Sequence, residues 1–143
     1  MSIVAAEPSD RDELIALLAA AELPLDGLDD AFPHGFALAR DGVQLIAAAG
    51  VELWGAHALL RSVVVAPSHR KHKLGEVLVA DRVRWARGRG AHTMWLFTVA
   101  AEPYFARLGF TTVPRSELPA ELGRSTQLSL SACSSAAAMT MRL

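Results

Sequence analysis

Residues 59–80 constrain the fold more than any other part of the sequence. A β-branched run at residues 63–65 is followed by Pro67, which cannot donate a hydrogen bond within a sheet and so ends a strand. A mostly basic loop comes next, and an apolar segment of helical length begins at Leu74 and Gly75. This order brings free amide groups and the positive end of a helix dipole to one place. It therefore predicts a phosphate-binding site, with an ordinary strand-loop-helix corner carrying solvated lysines as the alternative.

The composition predicts one soluble globular domain spanning residues 1–143. The chain has 143 residues and a mass of 15.3 kDa, with 52% apolar and 20% charged residues, which suffices for a hydrophobic core. Its net charge of −1 argues against nucleic-acid binding, which usually needs a clearly basic domain. The apolar run at residues 43–51 is too short to span a bilayer, and residues 1–10 lack the pattern of a signal peptide. We expect a cytoplasmic protein without nucleic-acid or membrane partners.

Neither cysteine nor histidine is arranged for metal binding. Cys133 is the only cysteine, so a disulfide framework and a thiolate cluster are both excluded. The five histidines are scattered without the spacing of metal ligands. We predict no metal site.

Charge is distributed unevenly along the chain. Residues 70–89 hold seven of the 14 lysines and arginines, whereas residues 1–41 hold nine of the 15 acidic residues. A basic centre suits a phosphate-rich cofactor, and an acidic first segment could attract an amine. Solvated helix faces would give the same asymmetry, so it supports a phosphate site only mildly.

Hydrophobic periodicity and turn residues predict the order β-α-α-β-β-β-α-β-α-β-β. The first helix begins near Ser9 and is stopped by Pro24, and residues 24–33 form a short helix or a loop. The predicted strands are residues 2–6, 36–40, 43–53, 58–66, 93–98, 110–113 and a part of 136–143. The other helices are residues 74–87 and 101–108, and residues 114–125 form a loop with a helical turn.

The segment after the central strand resembles the acetyl-CoA-binding segment of the GNAT family of N-acetyltransferases. That family has Arg/Gln-x-x-Gly-x-Gly/Ala, and the sequence here reads Arg70-Lys71-His72-Lys73-Leu74-Gly75. The first and last positions match, but Lys73 occupies the place of the first glycine. Lys73 could crowd the cofactor, or it could point outward and add positive charge.

The resemblance implies an α/β (α+β) fold with a mixed central sheet of about six or seven strands and helices on both faces. The fourth and fifth strands splay apart in this family, and the pantetheine arm of acetyl-CoA lies between them as a surrogate strand. Any buried strand could contain the same valines, so their role rests on the backbone. The implied cofactor-binding residues are Val63, Val64, Val65, Arg70, Lys71, His72, Lys73, Leu74, Gly75 and Thr98.

A second segment, residues 101–110, supports the same resemblance. Many family members have Asn-x-x-Ala-x-x-x-Tyr-Glu-Lys-x-Gly-Phe here, and Ala101, Gly109 and Phe110 fit that pattern. The family's tyrosine, its usual proton donor, is replaced by Phe105. Tyr104 lies one residue earlier, a helical rotation of about 100°, so we expect it to be a packing residue. The asparagine position likewise holds Thr98.

Candidates for acceptor binding and catalysis lie on the two central strands. Glu52 is the predicted general base, because apolar neighbours would raise the pKa of its carboxyl. Its alternatives are exposure to solvent or pairing with Arg61, and a structural or binding role is slightly favoured. Arg61 and Ser62 are the predicted acceptor-binding residues, and Arg61 could bind a carboxylate with two hydrogen bonds.

Several segments resemble one subgroup of small acetyltransferases, linked to arsenic-resistance operons and similar to amino-acid N-acetyltransferases. They include Ala49-Gly-Val-Glu-Leu-Trp-Gly55, Leu59 to Val65 and the tail around Cys133, although Ser134 stands where that subgroup has proline. The resemblance implies an acetyl-CoA-dependent N-acetyltransferase acting on a small amine, such as an amino acid or an amino-acid-like organoarsenical. The alternatives are a degenerate domain that binds acyl-CoA or a protein partner without turnover, and a protein-lysine acetyltransferase. Family members often form homodimers, which makes a homodimer possible here.

Overall fold

The computed structural model describes residues 2–132 and 136–143 of the chain. Its strands are β1 (Ser2–Ala5), β2 (Phe36–Asp41), β3 (Gln44–Trp54), β4 (His57–Val65), β5 (Thr93–Thr98), β6 (Thr111–Val113) and β7 (Ala137–Arg142). Its helices are α1 (Arg11–Ala20), α2 (Leu74–Gly88), α3 (Glu102–Arg107) and α4 (Thr126–Ala132). Short 3₁₀ turns cover Pro8–Asp10, Leu28–Asp30, Pro67–His72, Arg115–Glu117 and Ala120–Arg124.

The seven strands form one mixed sheet in the order β1-β2-β3-β4-β5-β7-β6. Tight turns at Gly42 and Gly55, both at positive φ, join β2 to β3 and β3 to β4. These strands are therefore antiparallel neighbours, whereas β4 and β5 are parallel and α2 connects them. The predicted fold class is confirmed.

The parallel pair β4–β5 is joined over only three residue pairs, from His57–Thr93 to Leu59–Trp95. Beyond Leu59 the two strands separate, while β4 stays paired with β3 and β5 stays paired with β7. The remaining part of β4 therefore faces a gap, as the predicted splay requires.

The strand β4 carries a bulge at Ser62. Its pairing with β3 shifts between Ala48–Val64 and Gly50–Arg61, so that two residues of β4 lie opposite Ala49. Ser62 adopts a φ of +57°, which bends the strand and interrupts its alternation of side chains. The bulge lies within the part of β4 that has separated from β5.

The helices α1 and α2 cover opposite faces of the sheet. Leu14 and Leu18 of α1 pack in one cluster with Leu38, whereas Leu74 and Leu78 of α2 pack in another with alanines of β2 and β3. Small side chains on that face let α2 approach the sheet closely. The amide groups at the start of α2 are thereby fixed beside the end of β4.

Two differences from the predicted elements concern the site. The helix α1 ends at Ala20 rather than near Pro24, because Glu22 and Leu23 close it with backbone hydrogen bonds to Ala19 and Leu18, each 3.0 Å. The helix α4 was not predicted; it lies beside the central strands. Within the described part of the chain, no helix is both long enough and apolar enough to cross a bilayer.

Candidate active site

A cavity of about 420 Å³ lies where the end of β4 meets the starts of α2 and α3. The splay of β4 from β5 opens one wall, and the first turn of α2 forms another. The residues lining it are Val63, Val64, Val65, Arg70, Lys73, Gly75, Glu76, Ala101, Tyr104, Phe105 and Arg107. We call this the cofactor cavity. It brings together six of the ten residues predicted to bind the cofactor.

The loop before α2 shows how lysine replaces the first glycine of the motif. Lys73 adopts a φ of +56°, a left-handed conformation that glycine reaches without strain. Its side chain is exposed, so it leaves the cavity open and contributes positive charge at the rim. Arg70 lies near it, and its Nε donates a hydrogen bond to the Val65 carbonyl at 3.2 Å.

The other predicted cofactor residues have different surroundings. Leu74 is buried in the cluster beneath α2, and Lys71 is exposed and does not line the cavity. His72 lies in the 3₁₀ turn, and its side chain is outside the described part of the structure. Thr98 does not line the cofactor cavity, and its Oγ1 accepts a hydrogen bond from the Ala101 N–H at 3.0 Å.

Tyr104 lines the cofactor cavity, although the sequence predicted a packing residue. Its hydroxyl lies directly over Gly75, so that a Cβ added to Gly75 would overlap it. Burial raises the pKa of the Tyr104 hydroxyl, the charge of Glu76 raises it further, and Arg107 opposes both. Tyr104 is therefore a neutral hydrogen-bond donor near α2. The position of Tyr104 on α3 could not predict its place in the cavity, because residues on two sides of that helix line the cavity.

A second cavity, of about 540 Å³, lies on the other side of the gap. It shares Ala101 with the cofactor cavity, and Leu60, Arg61 and Ser62 bring β4 to its wall. Its remaining lining residues are Glu22, Leu23, Pro24, Phe97, Thr98, Val99, Ala100, Gln127, Leu130 and Ala136. A mostly apolar cavity with a few polar groups is typical of a small-molecule site. We call it the acceptor cavity.

Glu52 is completely buried and is surrounded by hydrogen-bond donors. Its Oε2 accepts from Arg61 Nη1 at 2.9 Å, and its Oε1 accepts from Trp54 Nε1 at 2.8 Å and from Ser125 Oγ at 2.6 Å. It is not among the residues that line the acceptor cavity. This geometry matches the alternative in which Glu52 pairs with Arg61, because a general base must reach its substrate.

Arg61 is held rigidly at the wall of the acceptor cavity. Besides its bond to Glu52, its Nε donates to Ser62 Oγ at 3.1 Å and its Nη2 lies 3.4 Å from the Pro24 carbonyl. Its side chain is 1% exposed. These contacts fix the plane of the guanidinium at the wall of the acceptor cavity.

The segment around α4 supplies residues that sequence reasoning missed. Ser125 donates to Glu52 and also accepts a hydrogen bond from the Gln127 N–H at 3.1 Å, which fixes the start of α4. Gln127 lines the acceptor cavity, and its buried Nε2 has no partner within residues 2–132 and 136–143. Neither residue belongs to a recognisable motif, so only the fold could identify them. Over the same described residues, no three His, Cys, Asp or Glu side chains form a metal-binding group.

The model of the acetyltransferase (GNAT) family matches residues 6–110, about three quarters of the chain. The chain belongs to the GNAT family. The predicted family is thus confirmed, and it is a family of acetyltransferases.

Solved structures similar to this GNAT protein agree with the fold. N-acetylglutamate synthase from Neisseria gonorrhoeae, complexed with coenzyme A and N-acetyl-glutamate, has a TM-score of 0.86 at 21% identity over 99% of this chain. This chain spans only 35% of the length of that synthase. Rv2747 from Mycobacterium tuberculosis, in complex with CoA, has a TM-score of 0.82 at 20% identity, covering 100% of this chain and 99% of the other.

An aminoglycoside 6′-N-acetyltransferase complexed with coenzyme A has a TM-score of 0.74 at 18% identity, covering 99% of this chain and 97% of the other. No functionally curated protein matches the sequence. At these identities the similarities concern the fold. The predicted arsenic-resistance subgroup stays a prediction. Cys133 and Ser134, which belong to that resemblance, lie outside the described residues.

Proposed function

We propose that this GNAT protein transfers the acetyl group of acetyl-CoA to the amine of a small acceptor. The observation that carries the proposal is the pair of cavities that meet at Ala101, on either side of the splayed end of β4. The cofactor cavity has basic residues and a helix start suited to phosphates. The acceptor cavity is mostly apolar and contains the fixed Arg61 guanidinium. A thioester lying between the strands would be accessible to an amine from the acceptor cavity.

The cofactor is held by backbone and charge in this proposal. The pyrophosphate binds the free amides at the start of α2, with Arg70 and Lys73 adding positive charge. The missing side chain of Gly75 leaves room for the neutral Tyr104 hydroxyl, which donates a hydrogen bond to a phosphate oxygen. The pantetheine arm pairs with the backbone of residues 63–65, which lacks a neighbouring strand on that side.

The chemical step follows from that placement. The amine nitrogen attacks the thioester carbonyl carbon, and the carbonyl oxygen becomes an oxyanion. Backbone N–H groups of β4 that face the gap stabilise this charge. An acceptor that arrives as an ammonium ion first gives up one proton to solvent water, because only the neutral nitrogen has a lone pair. After the attack the C–S bond breaks, the nitrogen gives up a second proton and the CoA thiolate takes up one proton. We assign Glu52 a positioning role, because its carboxylate is fully engaged in holding Arg61 and Ser125.

The acceptor class follows from Arg61. A rigid guanidinium in an apolar cavity favours a ligand carboxylate or a similar oxyanion, so we propose an amino acid or an amino-acid-like compound. The synthase complexed with N-acetyl-glutamate supports this class. An amino-acid-like organoarsenical is one such compound, in keeping with the arsenic-resistance resemblance.

The first test is calorimetric titration with acetyl-CoA, CoA and dephospho-CoA. We expect micromolar binding of the first two and weaker binding of dephospho-CoA, since the extra phosphate meets the basic residues 70–73. Thiol release from acetyl-CoA, measured with free amino acids, simple amines and lysine peptides, then identifies the acceptor. Preference for lysine peptides would favour a protein-lysine acetyltransferase instead.

We also propose a homodimer, which light scattering can check.

A degenerate binding domain is the second candidate, and the replacements at Lys73, Thr98 and Phe105 favour it. The variant Lys73→Gly distinguishes the two functions. If the exposed lysine only replaces glycine, CoA affinity should change by less than about threefold, equivalent to about 0.7 kcal/mol. A much larger gain in affinity, together with no thiol release for any amine, would support the degenerate domain.

A further inference from the structure

Glu22 closes α1 in a backbone conformation that favours glycine. Its φ is +59°, in the left-handed region where a Cβ crowds the backbone. The Glu22 N–H donates to the Ala19 carbonyl, and the Leu23 N–H donates to the Leu18 carbonyl. These two hydrogen bonds form a Schellman motif, in which the left-handed residue is usually glycine.

The charge of Glu22 also opposes the electrostatics of this helix. Because α1 ends at Ala20, the Glu22 carboxylate follows the negative end of the helix dipole, where a neutral or basic residue is favoured. One residue therefore lowers stability through both its backbone and its charge. Such local conflicts are concentrated at functional sites.

The location of Glu22 indicates what that function is. Among the described residues lining the acceptor cavity, Glu22 is the only one with a carboxylate, and it is exposed at the edge of that cavity. Arg61 lines the same cavity with the opposite charge. Glu52, the other acidic residue near the centre, is buried behind Arg61.

We propose that the Glu22 carboxylate binds the ammonium group of the acceptor at the mouth of the acceptor cavity and selects amines that arrive as cations. The inference rests on the proposed function, because the acceptor is the amine that receives the acetyl group. An amino acid thus meets a partner for its ammonium and a partner for its carboxylate in one cavity. Glycine at position 22 would close the helix better, but it would leave the ammonium without an anion.

Three variants separate the two effects of Glu22. Glu22→Gly removes the charge and relieves the strained backbone, so its Tm should rise by roughly 2–4 °C. Glu22→Gln removes the charge but keeps the side chain and the strain, so its Tm should change less. Asp26→Asn is the matched control, because Asp26 is exposed in the same loop but does not line the cavity.

The kinetic measurement uses saturating acetyl-CoA with L-methionine, an amino acid, and butylamine, an amine without a carboxylate. In both Glu22 variants kcat/KM should fall on the order of tenfold for both amines, mainly through KM. Asp26→Asn should stay within about twofold. Added salt should lower kcat/KM of the wild type more than that of Glu22→Gln, because salt screens the attraction to the carboxylate.

The outcomes distinguish this inference from the proposed function. If the wild type acetylates the amines and both Glu22 variants keep their kcat/KM and salt dependence, the role of Glu22 is wrong and the proposed function stands. If the wild type acetylates no amine, both are overturned. A more stable Glu22→Gly with a raised KM supports the inference, since a merely structural residue would gain or keep activity when its strain is relieved.

Discussion

At the scale of single residues, side chains of the cofactor cavity show why position within a motif is a poor guide to role. Phe105 occupies the family's tyrosine position and packs edge-on against Phe110, with ring centres 5.9 Å apart. Tyr104 packs edge-on against Phe105 at 5.1 Å, and its hydroxyl reaches Gly75. The hydroxyl thus lies near the predicted phosphate site.

The raised pKa of Tyr104 has a measurable effect on stability. Burial keeps the hydroxyl neutral in the folded state, whereas in the unfolded chain it ionises near its ordinary pKa of about 10. The folded protein therefore holds the proton more tightly, and its free energy of unfolding should fall as the pH rises above about 10. Below that pH, Tyr104 does not make the free energy of unfolding depend on pH.

The variant Tyr104→Phe tests whether Tyr104 causes this loss of stability at high pH. Urea unfolding at pH 8 and at pH 10.5 should show a smaller loss of stability in the variant than in the wild type. An equal loss in both proteins would show that Tyr104 ionises as freely in the folded chain as in the unfolded one. CoA affinity of the same variant measures the hydrogen bond proposed for the phosphate.

At the scale of elements, local sequence predicts most of the sheet. The turns at Gly42 and Gly55 and the nearly continuous apolar runs that flank them determine β2, β3 and β4, and Gly88 closes α2 within one residue of its predicted end. Such signals lie within a few residues of the element that they define. They are therefore readable without knowledge of the fold.

The missed helix α4 has no comparable local signal. Its sequence, Thr-Gln-Leu-Ser-Leu-Ser-Ala, is short and rich in serine and threonine, which are poor helix formers. Its start is fixed by Ser125, which bonds to Glu52, a residue 73 positions away. The same reason explains why Gln127 could not be predicted as part of the acceptor cavity. Tertiary contacts, rather than propensity, define this element.

The gap between β4 and β5 should be visible in hydrogen exchange. Amides of residues 60–65 that face the gap have no strand partner beyond Leu59, so they should exchange rapidly in the free protein. Added CoA should slow them by at least about tenfold, because the pantetheine arm supplies partners. Amides of β2, which is paired with β1 on one side and with β3 on the other, serve as the internal control. Uniform protection of all strands would instead indicate general stabilisation.

At the scale of the whole molecule, the Glu52–Arg61 pair connects distant segments. Glu52 lies on β3, Arg61 on β4 and Ser125 before α4, and both charged side chains are almost completely buried. Removing one partner of a buried pair leaves the other charge uncompensated. This network is thus expected to contribute to global stability as well as to the acceptor site.

The variant Glu52→Gln should lower the free energy of unfolding by about 3–5 kcal/mol. Ser125→Ala, which removes one hydrogen bond and no charge, should cost about 1–3 kcal/mol. Urea unfolding measures both. If Glu52→Gln were as stable as the wild type but inactive, the assignment of Glu52 as a positioning residue would be wrong, and its role as general base would be restored.

The two cavities that share Ala101 take their lining from neighbouring stretches of β4 and of the segment that follows β5, but only the acceptor cavity also draws on the C-terminal segment. The cofactor side is built from residues 63–76 and 101–107, within the 6–110 family match, whereas Gln127, Leu130 and Ala136 on the acceptor side lie beyond it. Grafting the C-terminal segment together with the loop after α1 should therefore alter which acceptors are preferred among those that Arg61 admits. The donor half would act as an unchanged module, and new acyl acceptors could be selected without rebuilding it.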